Sequence, residues 1–278
     1  MISFDFEYYR PKSVNEAVNT YNSIKSAGRE VIYYGGGTEI ISMARMNKLS
    51  FSAVIDIKEI PECNILQAQG DQLFIGAAVT LSGICEANLF PLLTNAAKAA
   101  ADHTSRNKIT IGGNICGMIP YHEALLPFLL CDSKVVLAGK DGQNIVPINQ
   151  IFNRKFGGEK GELLVQIHTD KSYAGIPYEF VKRTKMEEID YPLVTIAIIK
   201  KDNRIRAAFS GVCDFPFRSQ KIEDDLNDKT TGIEARINNA VSHIPGPMAN
   251  NLQGSAEYRD FVFRNLLLDA INKIGGLA

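Results

Sequence analysis

Two glycine-rich segments about seventy residues apart constrain this chain more than any other sequence feature. The first, Gly35–Glu39, follows the apolar segment Val31–Tyr34, and the second, Thr110–Asn114, follows a predicted helix. Glycine allows positive φ and close approach of the backbone to a ligand, and successive main-chain N–H groups form a concavity that binds anions. The pair therefore predicts two backbone cradles around one large anionic cofactor, a dinucleotide whose own ring performs the chemistry.

The first glycine segment, taken alone, also fits a tight strand-to-helix turn. It does not match G-x-G-x-x-G, and the chain lacks a G-x-x-x-x-G-K-[ST] loop, so the conventional dinucleotide and phosphate-loop folds are disfavoured. In the second segment Thr110 and Asn114 add a hydroxyl and an amide that can bond phosphate oxygens or flavin edge atoms. Together the two segments favour a flavin-binding electron carrier.

Charge, cysteine and histidine content exclude several other classes of protein. Thirty basic and 31 acidic side chains give a formal charge of -1, so no whole-chain field favours nucleic acid or anionic lipid. Five cysteines without a Cys-x-x-Cys pair argue against a disulfide framework or a cysteine-bound cluster, and the four histidines lack metal-ligand spacing. No apolar run approaches the ~18 residues of a membrane span. We therefore expect a cytoplasmic protein with no metal site and no catalytic residue set of its own.

Local patterns predict a mixture of helices and strands. Ser13 and Glu16 form an S-x-x-E capping box that begins a helix, and Gly28 ends it. The strand Val31–Tyr34 leads into the first glycine segment, and Ala53–Ile57 is predicted to pair with Leu73–Gly76. The remaining predicted elements are a helix at 91–102, a hairpin around 139–142, strands at 163–167, 178–184, 194–200 and 205–212, and helices at 222–226, 233–241 and 256–274.

Two charged residues outside the glycine segments are candidate cofactor ligands. Glu123 can accept hydrogen bonds from ribose or ribityl hydroxyls; the alternative is a solvated helix residue. Lys182 lies on the predicted strand 178–184 and can place a positive charge near a flavin, favouring its anionic reduced form. Its alternative is an ordinary outward-facing strand residue.

Several segments together carry a resemblance to a known family. They are Tyr9–Ala17, Gly36–Glu39, Val54–Ile57 followed by Ile75–Thr80, and, most specifically, Thr110–Asn114. With them, nearly the whole chain resembles the FAD-binding medium subunits of molybdenum hydroxylases, the family of bacterial xanthine dehydrogenase and carbon monoxide dehydrogenase. Two positions depart from the family pattern: Glu123 replaces an aspartate, and Met186 replaces an arginine.

The resemblance assigns roles to the predicted site residues. It implies that Tyr33–Ile40 wraps the FAD pyrophosphate, that Thr110–Asn114 completes the cradle, and that Leu164 lines the flavin pocket. The complete set of expected cofactor-binding residues is Tyr33, Tyr34, Gly35, Gly36, Gly37, Thr38, Glu39, Ile40, Thr110, Ile111, Gly112, Gly113, Asn114, Glu123, Leu164 and Lys182.

The resemblance also implies a fold and a division into domains. It predicts the α+β class, with a two-lobed FAD-binding domain of the PCMH type over residues 1–172, its lobes covering about 1–57 and 58–172. A C-terminal α+β domain, an antiparallel sheet covered by helices, is predicted over residues 173–278.

The implied function is electron transfer within a complex. An iron–sulfur small subunit with [2Fe-2S] clusters passes electrons to FAD on this chain, and NAD+ or another acceptor receives them. Substrate hydroxylation takes place on a molybdopterin-binding large subunit. We expect a xanthine dehydrogenase-like enzyme of purine metabolism. The alternatives are the FAD subunit of a carbon monoxide, nicotinate or other aromatic-substrate dehydrogenase, a stand-alone FAD oxidoreductase, and a non-catalytic scaffold that has lost FAD.

Overall fold

A computed structural model describes residues 1–158, 161–187 and 189–275. The chain divides into two compact units, each built from several stretches of sequence. The first unit comprises Met1–Leu89, Asp102–Met118 and Ser133–Lys171. The second comprises Phe90–Ala101, Ile119–Asp132 and the residues from Ser172 onward. Two stretches from before residue 172 thus pack with the later part of the chain, and the domain division predicted between 172 and 173 stays a prediction.

The first unit contains a small parallel sheet in the order β1-β3-β2. Its strands are Glu7–Tyr9 (β1), Val31–Tyr34 (β2) and Ala53–Asp56 (β3). The helices next to it in sequence are Val14–Ser26 (α1) and Thr38–Arg45 (α2). Every residue of β3 is buried, as expected of a central strand.

The capping box predicted for α1 is confirmed. The Ser13 hydroxyl accepts a hydrogen bond from the Glu16 N–H at 3.2 Å. The Glu16 carboxylate reaches back to the N–H of Lys12 at 2.8 Å, one residue earlier than in the usual box. The apolar positions of α1, spaced three and four residues apart, are all buried, so this stripe faces the interior of the unit.

A five-stranded antiparallel sheet completes the first unit, in the order β4-β5-β10-β6-β7. Its strands are Leu66–Gln69 (β4), Gln72–Gly76 (β5), Lys134–Gly139 (β6), Gly142–Pro147 (β7) and Leu163–Asp170 (β10). Phe152–Asn153 (β8) and Lys155–Phe156 (β9) form a separate two-stranded ladder. The helices are Leu81–Ala87 (α3), His103–Arg106 (α5), Ile111–Cys116 (α6) and Ile148–Ile151 (α8).

The predicted pairing of Ala53–Ile57 with Leu73–Gly76 is wrong. β3 lies between β1 and β2, whereas β5 pairs with β4 and β10. The physical reason is the two-residue turn Gly70–Asp71, where Gly70 has φ +57° and brings Gln69 opposite Gln72. The hairpin predicted around 139–142 is confirmed, with Gly139 opposite Gly142.

The second unit is an antiparallel sheet with helices, in the order β11-β12-β13-β14. Its strands are Tyr178–Thr184 (β11), Pro192–Lys201 (β12), Arg204–Ser210 (β13) and Phe217–Arg218 (β14). Its helices are Pro91–Ala99 (α4), Leu126–Leu130 (α7), Gln220–Asn227 (α9), Ile233–Ser242 (α10) and Ala256–Lys273 (α11). The strands, helices and sheets of both units confirm the predicted α+β class.

A buried arginine organises the loops of the second unit. Arg259, on α11, is fully buried and donates hydrogen bonds to five oxygen atoms, four of them main-chain carbonyls. These carbonyls belong to Leu193, Gly211, Ala249 and Gly254. Burial lowers the pKa of the Arg259 guanidinium from its ordinary value, although an arginine remains charged at neutral pH.

Candidate functional site

The first glycine loop joins β2 to α2 and leaves a run of main-chain donors without internal acceptors. Gly37 precedes the helix with φ +72°, and a Cβ there would lie 2.2 Å from the ring of Tyr34, so only glycine fits. The first helical hydrogen bond runs from Ile41 N–H to Gly37 O at 2.8 Å. In the part of the chain that the structure describes, the N–H groups of Gly35 to Ile40 make no hydrogen bond. Six consecutive donors are thus free for an anion.

The second glycine loop differs, because the N–H groups of Ile111 to Asn114 already donate hydrogen bonds within the chain. Ile111 N–H donates to Val79 O at 2.8 Å, and Gly112 N–H donates to Ala77 O at 2.9 Å. Gly113 N–H donates to the Thr110 hydroxyl at 3.1 Å, and the Asn114 N–H bonds the Thr110 carbonyl at 2.9 Å. The main-chain amides of Ile111 to Asn114 are therefore engaged within the chain, and the cofactor-binding role predicted for Thr110–Asn114 stays a prediction.

The structure brings the two loops into direct contact. A Cβ on Gly36 would lie 1.7 Å from the main-chain oxygen of Lys108, and one on Gly35 would lie 2.7 Å from the Thr110 hydroxyl. The backbones therefore approach each other as only glycine permits. Since the second loop is bonded to Ala77 and Val79, it is a rigid support on which the first loop rests.

Side chains at the edges of the first loop anchor it rather than line an open surface. The Glu39 carboxylate accepts a hydrogen bond from Met118 N–H at 2.7 Å. The Tyr33 hydroxyl donates to Gly161 O at 3.0 Å, and its ring stacks on Tyr21 with centroids 5.0 Å apart. Burial raises the pKa of Tyr33, so its phenol stays neutral. Ile40 packs against a small apolar cluster formed by the buried side chains of Ala44, Phe51 and Val54.

Leu164 is buried on β10, beside a bulge in that strand. The next residue, Val165, accepts a hydrogen bond from Ala77 N–H at 2.9 Å, and the Ala77 carbonyl in turn accepts from Gly112 N–H. The neighbour of Leu164 in sequence, Val165, is thus linked to the second loop through Ala77. Its predicted contact with a flavin stays a prediction.

Glu123 and Lys182 form a buried ion pair in the second unit. Lys182 Nζ lies 3.0 Å from the Glu123 carboxylate, and each side chain is 9% exposed. Lys182 also donates to Ala99 O at 2.8 Å. The alternatives of a solvated helix residue and an outward-facing strand residue are therefore both wrong. Their roles toward a cofactor remain predictions.

Two residues that contact or neighbour the first loop, Asp56 and Lys58, were not predicted as part of the site. The Asp56 carboxylate is buried at the end of β3 and accepts hydrogen bonds from Lys58 and from the Tyr8 hydroxyl. Burial alone raises its pKa, but these hydrogen bonds outweigh burial and hold the pKa below its usual value. Lys58 also donates to Gly35 O at 2.9 Å. The signal in the sequence was a charged residue closing an otherwise apolar strand.

Among residues 1–158, 161–187 and 189–275, no three or more His, Cys, Asp or Glu side chains are grouped so that they could hold a metal ion. In the same residues, the helices are too short or too polar to cross a membrane.

Comparison with known proteins identifies the family. Residues 4–169, more than half of the chain, match the family described as the FAD binding domain in molybdopterin dehydrogenase. The chain belongs to this family. The FAD-binding chain is 28% identical to the carbon monoxide dehydrogenase medium chain of Hydrogenophaga pseudoflava, with 98% of each covered. It is 24% identical to the xanthine dehydrogenase FAD-binding subunit of Escherichia coli O157:H7, covering 98% of this chain and 99% of that one.

A solved structure shares the fold over the whole length. It is carbon monoxide dehydrogenase from Hydrogenophaga pseudoflava lacking the Mo-pyranopterin moiety of its cofactor. The TM-score is 0.88 at 26% identity, covering 99% of this chain and 98% of that chain. The α+β arrangement of an FAD-binding region followed by a helix-covered antiparallel sheet is therefore that of molybdenum hydroxylase FAD subunits.

The geometry of the first loop fits the cofactor of this family. A diphosphate needs several donors within a short reach, and Gly35–Ile40 offers them consecutively at a helix N-terminus, where the helix dipole also favours negative charge. The glycines leave no side chain to keep a phosphate away.

Proposed function

We propose that this chain holds FAD through the main-chain N–H groups of Gly35–Ile40 and works as the electron-transfer subunit of a molybdenum hydroxylase. One observation supports the proposal above all: these six donors make no hydrogen bond within the described residues, while the loop that carries them rests on a rigid second loop. An acceptor outside the chain would satisfy them.

In this proposal the protein binds and orients, and the cofactor supplies the redox chemistry. Bound FAD would take up and release electrons. Gly35–Ile40 would bind its diphosphate, and Thr110–Asn114 would fix that loop in place. Glu39 and Tyr33 would hold the loop from its two sides, through Met118 and Gly161.

We infer that the substrate is recognised on a partner subunit. Both relatives named above match this chain over nearly its full length, yet one belongs to a carbon monoxide dehydrogenase and the other to a xanthine dehydrogenase. Chains of this type therefore occur in enzymes named for different substrates, which supports recognition of the substrate elsewhere. We propose an iron–sulfur partner, a molybdopterin-binding partner, and NAD+ as electron acceptor, in a xanthine dehydrogenase-like complex. The carbon monoxide dehydrogenase type is the second candidate, favoured by the 28% identity to its medium chain.

The first experiment tests cofactor binding by the full chain. The purified chain is stripped of flavin and titrated with FAD, FMN and ADP, and binding is followed by flavin fluorescence and calorimetry. We expect one FAD per chain. ADP should compete with FAD, and FMN, which lacks the diphosphate bridge, should bind more weakly. Failure of FAD to bind at all would contradict the proposal and support the scaffold alternative.

The second experiment tests the place in the complex. The tagged chain is purified under mild conditions from its own cells, and the copurifying material is assayed for iron, molybdenum and flavin. We expect iron and molybdenum on partner chains, and NAD+-dependent oxidation of xanthine by the complex only. Carbon monoxide oxidation instead would select the second candidate. Turnover by the isolated chain would contradict an electron-transfer subunit.

A further inference from the structure

A lysine beside the first glycine loop is held at a main-chain peptide of that loop. Lys58 Nζ lies 2.9 Å from Gly35 O and 2.7 Å from Asp56 Oδ2, and 4.6 Å from the centre of the Tyr34 ring. An ammonium group has three donor positions, and Gly35 and Asp56 take two of them. With the aromatic ring against it as well, Lys58 is committed to these neighbours rather than extended toward a ligand.

The carboxylate that holds Lys58 is itself fixed. Asp56 is 2% exposed and lies at the end of β3, the central strand of the parallel sheet. Besides the Lys58 side chain, it accepts hydrogen bonds from Lys58 N–H at 2.9 Å and from the Tyr8 hydroxyl of β1. The ammonium group is therefore tied to a buried point of the sheet, although its side chain is 44% exposed.

The contact with Gly35 O determines the direction of a donor on the next residue. A trans peptide is planar, so the Gly35 C=O and the Gly36 N–H point in opposite directions. A cation at the oxygen fixes the plane and polarises the peptide, which strengthens its N–H as a donor. On the opposite side, the Gly36 N–H has no acceptor among the described residues. The Lys108 carbonyl lies close to Gly36, in the space that a side chain there would occupy.

We propose that Lys58 is a positioning residue for the cofactor diphosphate: by holding the Gly35 carbonyl, it aims and polarises the Gly36 N–H toward the phosphate. This inference rests on the proposed function. It adds a residue that binds no cofactor atom itself and acts through one peptide of the loop.

The test compares three variants of the full chain. Lys58→Met removes the charge and keeps most of the stem, Lys58→Arg keeps the charge and donors, and Lys48→Met removes an exposed lysine as the matched control. FAD and ADP are titrated into each flavin-free chain. The amide resonance of Gly36 is recorded by NMR without ligand, and thermal unfolding is measured in parallel.

We expect Lys58→Met to weaken FAD and ADP by the same factor, about tenfold, the value of one hydrogen bond to a charged group. It should also shift the Gly36 amide resonance in the flavin-free chain. Lys58→Arg should recover both, and Lys48→Met should change neither. Equal weakening of FAD and ADP excludes the flavin ring as the origin of the effect, because ADP has no flavin ring, and the shift of the Gly36 resonance places the change at the loop.

Three results for the variants would overturn the inference, although the unmodified chain would still bind FAD as proposed. The first is wild-type affinity in Lys58→Met, the second is weakening of FAD without weakening of ADP, and the third is a loss of affinity with an unmoved Gly36 resonance. If the unmodified chain binds neither FAD nor ADP, the proposed function fails and this inference fails with it.

Discussion

The contact between the two glycine loops makes a sharp prediction for Gly36→Ala. The added Cβ would lie 1.7 Å from Lys108 O and must move by about 1.3 Å to reach even a 3.0 Å contact. The position of the Lys108 carbonyl is restrained by hydrogen bonds of the neighbouring backbone. The N–H groups of Lys108 and Ile109 both bond Ser105 O at 2.9 Å, and Ile109 O accepts from Leu81 N–H at 2.9 Å. The first loop must therefore move instead.

The displacement of the loop determines how far Gly36→Ala should lower the stability of the chain and its affinity for FAD. Overpacking of this kind costs about 1–3 kcal/mol of stability. A shift of more than 1 Å also exceeds the range over which an N–H···O bond keeps its geometry. Loss of two hydrogen bonds to a charged diphosphate, at about 1.5 kcal/mol each, corresponds to roughly 100-fold weaker FAD binding.

The assay is FAD titration with urea unfolding of the flavin-free chain, and Gly175→Ala is the matched control. A Cβ on Gly175 meets nothing within 4 Å, and its φ is outside the positive region, so stability should change by less than about 1 kcal/mol and affinity should not change. A folded Gly36→Ala chain that binds FAD as tightly as the unmodified chain would refute the placement of the diphosphate on this loop.

Three further predictions concern the Glu123–Lys182 ion pair, the buried Arg259 and the buried Asp56. Lys182→Met leaves the Glu123 carboxylate buried and unpaired and should cost about 3–5 kcal/mol in urea unfolding, and adding Glu123→Leu should recover part of it. Arg259→Met removes five hydrogen bonds at a buried site and should cost about 3 kcal/mol or more, seen as a lower unfolding temperature. The lowered pKa of Asp56 stabilises the fold above the pKa of an unfolded aspartate, about 3.9, and that stability is lost as the pH falls through the lowered value. Tyr8→Phe should reduce stability at neutral pH and lessen its loss in acid, whereas an unchanged acid profile would contradict this assignment.

Local signals in the sequence predicted helices α1, α4, α9, α10 and α11 and strands β11, β12 and β13. Ser13 caps the predicted helix α1 and accepts the expected N–H three residues later. Thr110 caps α6 in the same way, although that helix was not predicted. Short-range geometry is sufficient there, because the cap and its partner lie in one turn. The hairpin at 139–142 is predictable for the same reason, since a two-residue turn fixes the pairing.

Long-range pairing left no comparable local signal. β1 has three residues and pairs with β3 in parallel, so no turn connects them and nothing near either strand indicates the partner. No local sequence signal indicated the burial of Glu123 and Lys182 either. Charged residues are mostly exposed, and only the meeting of two distant segments makes burial of this pair favourable.

The two glycine segments look alike in the sequence, but glycine is required in each for a different physical reason. In the first, the absence of side chains lets the loop approach Lys108 and leaves its N–H groups open. In the second, a Cβ on Gly112 would lie 2.8 Å from both the oxygen and the Cβ of Ala77, so glycine there permits close packing, and its N–H bonds the same oxygen. A glycine motif therefore indicates close approach of the backbone to something. Whether that is a ligand or another part of the chain depends on where the neighbouring N–H groups find acceptors, which only the folded structure determines.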